Sequence, residues 1–218
     1  MVVASLGTMG LSMFYAICIV QSKMKERAFY RVVLFFPNML SAVIVSIIFR
    51  YVFDPNSGIL NGFLALFGVD GPVWLGDVNV VMWAIAIPMV WSAVGYYMLI
   101  YIAALDNISP SLYESADIDG ANVFLKFFKI TIPMMWEVLR VTFVLYILSA
   151  LNGSFMFVRV LTNSGPNGRS EVIMNYMFRQ AFRNGNFGYG MTVAVVIFFI
   201  TFGLALLSNW LTGKKNQF

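Results

Sequence analysis

Read for its alternation of apolar and polar positions, the chain divides into five long apolar runs separated by short mixed stretches. The runs lie near residues 1–22, 32–53, 78–105, 133–158 and 188–212. Each is long enough for a helix to cross the hydrocarbon layer of a bilayer, which takes about 20 residues. Leu60 to Phe67 is also apolar but too short to cross, and is expected to lie at the membrane interface, with Trp74 and Trp83 as neighbouring anchors. Pro37 and Pro88 fall inside the second and third runs, where each frees a backbone carbonyl and predicts a kink. The pattern predicts an all-α integral membrane protein of about five transmembrane helices, with residues 1–218 forming one transmembrane domain.

One passage breaks the apolar pattern. Tyr113-Glu114-Ser115-Ala116-Asp117-Ile118-Asp119-Gly120-Ala121, running on to Ile130-Thr131-Ile132-Pro133, is polar-rich and helical in character, yet sits between two spans. A helix over about 110–119 can end at Gly120, where the absence of a Cβ makes the left-handed turn cheap. A second helix from about residue 121 then leads into the next span. The segment 106–131 thus predicts a short helical finger lying across one membrane face, too long and too patterned for a simple turn. Ser111 and Glu114 also have the spacing of a capping box, which would satisfy helix-end amides with no partner at all.

Composition sharpens this picture. Hydrophobic residues make up 60% and charged residues 11%, with a mean hydropathy of +0.81, whereas soluble domains carry about 25% charged residues. The net charge of +4 does not indicate nucleic acid, because the basic residues stand singly near the ends of apolar runs and form no patch. They act as topology signals instead. Lys23, Lys25, Arg27, Arg31, Lys126, Lys129, Lys214 and Lys215 fall on the side of the finger, against Arg159, Arg169, Arg179 and Arg183 opposite. The positive-inside rule puts the finger and the C-terminus in the cytoplasm. The first run has its charges after the apolar stretch, which is the reverse of a signal peptide.

Several chemistries are excluded. Cys18 is the only cysteine and there is no histidine, so disulfides, histidine-based catalytic triads and most zinc sites are out. No phosphate-binding G-x-x-x-x-G-K-[ST] loop occurs; Gly213-Lys214-Lys215 lacks the first glycine and the hydroxyl residue. No cofactor is expected on this chain, and ATP with magnesium, if used, must sit on a separate ATPase.

The finger also carries a resemblance. Glu114, Ala116, Gly120, Ile130, Ile132 and Pro133 match, at every spacing, the E-A-A, three residues, G, nine residues, I-x-L-P signature of binding-protein-dependent ABC importer permeases. Ser115 replaces the middle Ala and Ile132 replaces Leu. Asp119-Gly120-Ala121, the Gly58-x-x-Asn61 loop, and Leu161-Thr162-Asn163-Ser164-Gly165-Pro166 with the later Tyr176 and Ala181-Phe182 resemble the sugar-importing, maltose-type branch. The resemblance runs from about residue 11 to the end. It implies a type I importer bundle, with one more helix ahead of residues 1–22 than is present here. It also implies a bacterial or archaeal cytoplasmic membrane, a second homologous permease, two ATP-binding subunits and an extracellular solute-binding protein. On this reading Glu114, Ser115, Ala116, Asp119, Gly120, Ala121, Ile130 and Pro133 couple the chain to the ATPase, with Leu112, Tyr113, Ala116 and Ile118 supplying the apolar face.

A carbohydrate pathway needs aromatic faces beside hydrogen-bonding groups, because sugars present CH surfaces edged by hydroxyls. Span three offers Trp91, Ser92, Tyr96 and Tyr97, and span four offers Tyr146, Ser149, Asn152, Ser154 and Phe155. Tyr96 and Asn152 fall near mid-span, where a polar group needs a partner or a cavity. Tyr96 also falls where the resemblance implies a sugar-contacting tyrosine. For Ser149 and Asn152, interhelical hydrogen bonding is an equal alternative. The expected cargo is an oligosaccharide. Glycerol phosphate or another polar solute is the alternative within the family, and a secondary carrier or channel the alternative outside it, although either of the latter would leave the finger idle.

Overall fold

The computed structural model describes residues 2–21 and 26–213. Lys23, Lys25, Lys214 and Lys215, counted above toward the topology, lie outside them. The described residues form α-helices and two π-helical turns, with no strand.

Four helical stretches are long and apolar enough to cross a membrane. They lie in α1 (Val2–Gln21), in α5 (Val81–Asp106), across Val123–Leu161, which ends in α8 (Ile132–Leu161), and in α10 (Phe187–Gly213). The run at 32–53 departs from the expected single span. It forms α2 (Arg27–Met39) and α3 (Ala42–Val52), which meet at 97°. The break follows Pro37 by three residues. Leu40 turns extended, its N–H returning to Pro37 O at 3.3 Å, and the Ser41 hydroxyl then accepts the Ile44 N–H at 3.3 Å and starts α3. An N-cap in mid-run restarts the helix in a new direction. Between α3 and α5, α4 (Ile59–Ala65) is the short apolar helix expected at an interface.

Helix α5 is the central post. Half of its apolar stretch is buried, against 6% of that in α10. Against α5, α1 lays a stripe of small residues, Ala4, Ser5, Thr8, Ser12 and Ala16, each at most 5% exposed. Small side chains at a spacing of four let two helix backbones approach closely, which is how helices associate where lipid removes the hydrophobic drive. Ser12 Oγ donates to Val94 O at 2.9 Å. The fully buried Tyr101 ties three helices together: its hydroxyl lies 2.6 Å from Met9 Sδ on α1 and 2.9 Å from Thr142 Oγ1 on α8. On the other flank, Gly95 lets α2 touch the α5 backbone, since a Cβ there would lie 2.1 Å from Leu34 O.

Charge sorts the two ends of the bundle. The end of α1, the start of α2 and the end of α5 meet where Arg27 donates to Val20 O at 2.9 Å and Arg31 stands 4.0 Å from Asp106. Lys126 and Lys129, on the finger, lie at this end. Arg159 lies at the far end of α8, and Arg169, Arg179 and Arg183 follow in the segment leading to α10.

The helical finger and a polar cavity

The finger begins with α6 (Pro110–Ile118). Its C-terminus closes as a Schellman motif: Ala121 N–H reaches Ala116 O at 2.9 Å and Gly120 N–H reaches Asp117 O at 3.1 Å, with Gly120 at φ +72°. Asn122 then caps α7 (Val123–Lys126) by accepting the Leu125 N–H at 2.8 Å. A π-helical turn, Phe127–Thr131, joins α7 to α8, with Ile132 N–H reaching five residues back to Phe127 O. The wide turn falls just ahead of Pro133, which has no N–H to continue the ordinary ladder.

Helix α6 has no extensive contact with another helix. Two side-chain links tie it to the segment that leads into α8. Tyr113 OH lies 2.9 Å from Thr131 Oγ1, and Lys126 forms an ion pair with Asp117. Tyr113 therefore turns inward, away from any partner, and does not join the outward apolar face expected of it. Leu112, Ile118 (88% exposed), Val123 and Phe124 (77% exposed) are among the apolar residues that the finger leaves uncovered. Glu114, Ser115, Asp119, Gly120 and Pro133 are exposed, and Ala116, Ala121 and Ile130 are half-buried. The capping box does not form, because Ser109 precedes the helix without a side-chain cap and Ser111 Oγ pairs with Ser109 Oγ at 2.8 Å.

Higher in the bundle, α2, α5 and α8 enclose a cavity of about 320 Å³. Its polar lining is Asn38, Ser92, Tyr96, Tyr97, Tyr146 and Ser149. No ionisable acid or base lines it. Tyr97 and Tyr146 meet edge to face at 5.5 Å, and Tyr96 is 46% exposed toward the opening. The Tyr146 hydroxyl is buried at the cavity wall. A larger hollow of about 710 Å³ between α1, α2 and α5 is walled by apolar side chains including Leu11, Val33 and Phe36, and offers little to a polar solute.

Three residues expected along a substrate pathway do not line this cavity. Asn152 is exposed and donates to Leu148 O at 3.2 Å, the buried Ser154 donates to Leu151 O at 3.0 Å, and Phe155 packs against Phe178 at 5.7 Å. The reason is helical phase. Tyr146, Ser149, Ala150, Gly153 and Phe157 share the cavity face, whereas Asn152, six residues beyond Tyr146, points about 120° away from it. Trp91 packs on Phe49 at 5.5 Å and lines the apolar hollow. Asn38 was not anticipated; its only signal is an amide beside Pro37 within an apolar run. It donates to Ser92 O at 3.2 Å. Trp74, expected as an interfacial anchor, stacks on Phe53 and donates to Asn61 Oδ1 at 2.6 Å, locking the loop before α5.

Comparison with known proteins follows the same lines. The family model for the inner membrane component of binding-protein-dependent transport systems matches residues 9–214. A diacetylchitobiose uptake system permease of Streptomyces coelicolor is 35% identical over 193 residues, covering 85% of this chain and 54% of that protein. The maltose/maltodextrin transport system permease of Escherichia coli is 32% identical over 211 residues, covering 91% of this chain and 41% of its own. A probable ABC transporter permease of Bacillus subtilis is 33% identical, covering 88% and 67%. The chain thus spans about two fifths to two thirds of these relatives. A crystal structure of a bacterial ABC transporter that imports the acidic polysaccharide alginate matches with a TM-score of 0.85 at 21% identity, over 98% of this chain and 78% of the other, a likeness of fold.

Proposed function

Since the chain belongs to the family of inner membrane components of binding-protein-dependent transport systems, we propose that it is a permease subunit of an ATP-driven importer carrying a neutral oligosaccharide. The family is one of transport components, not enzymes. One observation carries the reading: a capped finger whose first helix, α6, has no extensive contact with another helix and is tied by Tyr113–Thr131 and Asp117–Lys126 to the segment that runs straight on into α8, a helix that lines the polar cavity. A finger that exposes Leu112 and Ile118 on α6 and Phe124 on α7, with Glu114 between the first two, is built to be covered by another protein. In the proposed assembly it seats in a cytoplasmic ATPase, and the C-terminus lies on the same side. A second permease, a second ATPase copy and an extracellular solute-binding protein complete the transporter. Closure of the ATPases would rock α8 and expose the cavity to alternate sides.

The cavity lining supports the cargo. Tyrosine rings beside hydroxyl and amide groups suit sugar CH faces and hydroxyls, and without a cation among the lining residues the site favours a neutral sugar over glycerol phosphate. The test pairs Glu114→Ala and Gly120→Val with the unmodified chain in the assembled transporter. Both variants are expected to reach the membrane at normal levels while losing ATPase co-purification and uptake. Unchanged uptake would remove the finger from the mechanism. Ion-gradient-driven uptake with no ATPase attached would replace the reading with a secondary carrier.

A further inference from the structure

At the end of the bundle away from the finger, a small polar recess of about 40 Å³ is lined by Arg159, Arg179 and Arg183 with Asn163, Ser164 and Asn175. Three guanidinium groups meet here and one carboxylate answers them, Glu171, which accepts from Arg179 at 2.7 Å. Arg183 donates to Asn163 Oδ1 at 3.2 Å. Arg159 Cζ stands over the Phe178 ring, 4.0 Å from its centroid, and has no acidic partner among the described residues. The carbonyl end of α8 offsets only about half a charge. Like charges gathered in a partly dry recess repel one another, and an incoming anion would relieve the strain. The ring under Arg159 holds its fork in one orientation, so little side-chain freedom is lost when an oxygen pair arrives.

We infer that this recess receives a carboxylate side chain, an aspartate or glutamate, from the docked solute-binding protein. The inference rests on the permease reading, which makes this end the outer face. Size selects the group. The recess offers about three times the room that a single water requires, enough for a CO2 group and too little for a sugar ring. Its mouth carries the exposed Asn163 and Arg183, on the segment between α8 and α10. Its lining shares no residue with that of the polar cavity.

The test uses the complete transporter in lipid nanodiscs and its solute-binding protein, with binding measured between about 50 and 300 mM salt, a range over which screening grows strongly. Arg159→Gln and Arg183→Gln are each expected to weaken binding about tenfold at low salt and to flatten its salt dependence, with assembly and basal ATP hydrolysis unchanged. Arg169→Gln, which removes the same charge from the same segment outside the recess, should bind like the unmodified protein. Arg183 is exposed, so its variant tests the recess without disturbing the packed rings. Equal binding by all three variants and the unmodified transporter overturns the inference. So does an equal loss in Arg169→Gln, which would mean bulk charge. Anionic lipid retained by the unmodified transporter and lost in Arg159→Gln, with docking unaffected, would assign the recess to a headgroup instead. If the unmodified transporter recruits neither ATPase nor binding protein, it is the permease reading that falls.

Discussion

Gly95 decides whether α2 can reach α5. The contact is backbone to backbone, with Leu34 O and Phe35 Cα in the way of any added carbon, so nothing flexible can yield. Gly95→Ala is expected to destabilise the bundle by about 1–3 kcal/mol or to push α2 off its seat. Thermal unfolding in detergent measures the first effect, and accessibility of Asn38 to a probe measures the second. Asp54 gives a test by acid. Its Oδ1 accepts from Ser57 N at 2.8 Å, Ser57 Oγ at 2.9 Å and Asn56 N at 3.0 Å, and these bonds, the Ser57 amide first, hold the carboxyl below the usual aspartate range. A lowered folded-state pKa means that the bonds stabilise the turn at neutral pH and are lost as pH falls through that lowered value. Protection of the Ser57 amide, taken relative to its intrinsic exchange rate at each pH, should therefore hold through mild acid and fall only below the ordinary aspartate range; loss within the ordinary range would show that the bonds do not hold the carboxyl down.

Among the elements, α6 shows how much of a site a sequence can disclose. Its limits, its end at Gly120 and the helix that follows were legible because Pro, Gly and Asn each have a local backbone role that needs no distant partner. The inward turn of Tyr113 was not, since it depends on Thr131, brought within reach only by the π-helical turn. That hydrogen bond should transmit force. Tyr113→Phe and Thr131→Val are expected to leave ATPase binding intact and to lower sugar uptake per ATP hydrolysed several-fold, whereas Thr131→Ser, which keeps the hydroxyl, should retain coupling. A ratio unchanged in all three would reduce the bond to a local stabiliser. The same contrast governs α8. Its length was plain from composition, but which residues face the cavity depended on the helix's rotation, and an all-round apolar helix carries no stripe from which to read it. Asn152 and Tyr146 therefore looked equivalent in sequence and proved to face different ways.

At the scale of the whole molecule, burial is lopsided. Helix α5 is packed on several sides while only 6% of the apolar stretch of α10 is buried, and its Phe198, Phe199 and Phe202 are exposed. Span count and end-to-end charge asymmetry could be read from the chain because they follow from composition alone. Pro37 announced a kink, but not that it would open into a 97° break, because the new start at Ser41 lies four residues beyond the proline and carries no hydropathy signal of its own.

That elbow has a consequence for the membrane itself. Neither arm, of 13 and 11 residues, reaches across a bilayer alone, and unpaired backbone at such depth persists only against protein or water. The bend therefore needs cover on every side, and where protein does not supply it, aqueous solvent must reach in from one leaflet as a notch. In a chain whose single thiol has been removed by Cys18→Ser, Ser41→Cys should react with a membrane-impermeant maleimide added on one side only, and inertness from both sides would mean that the notch is dry.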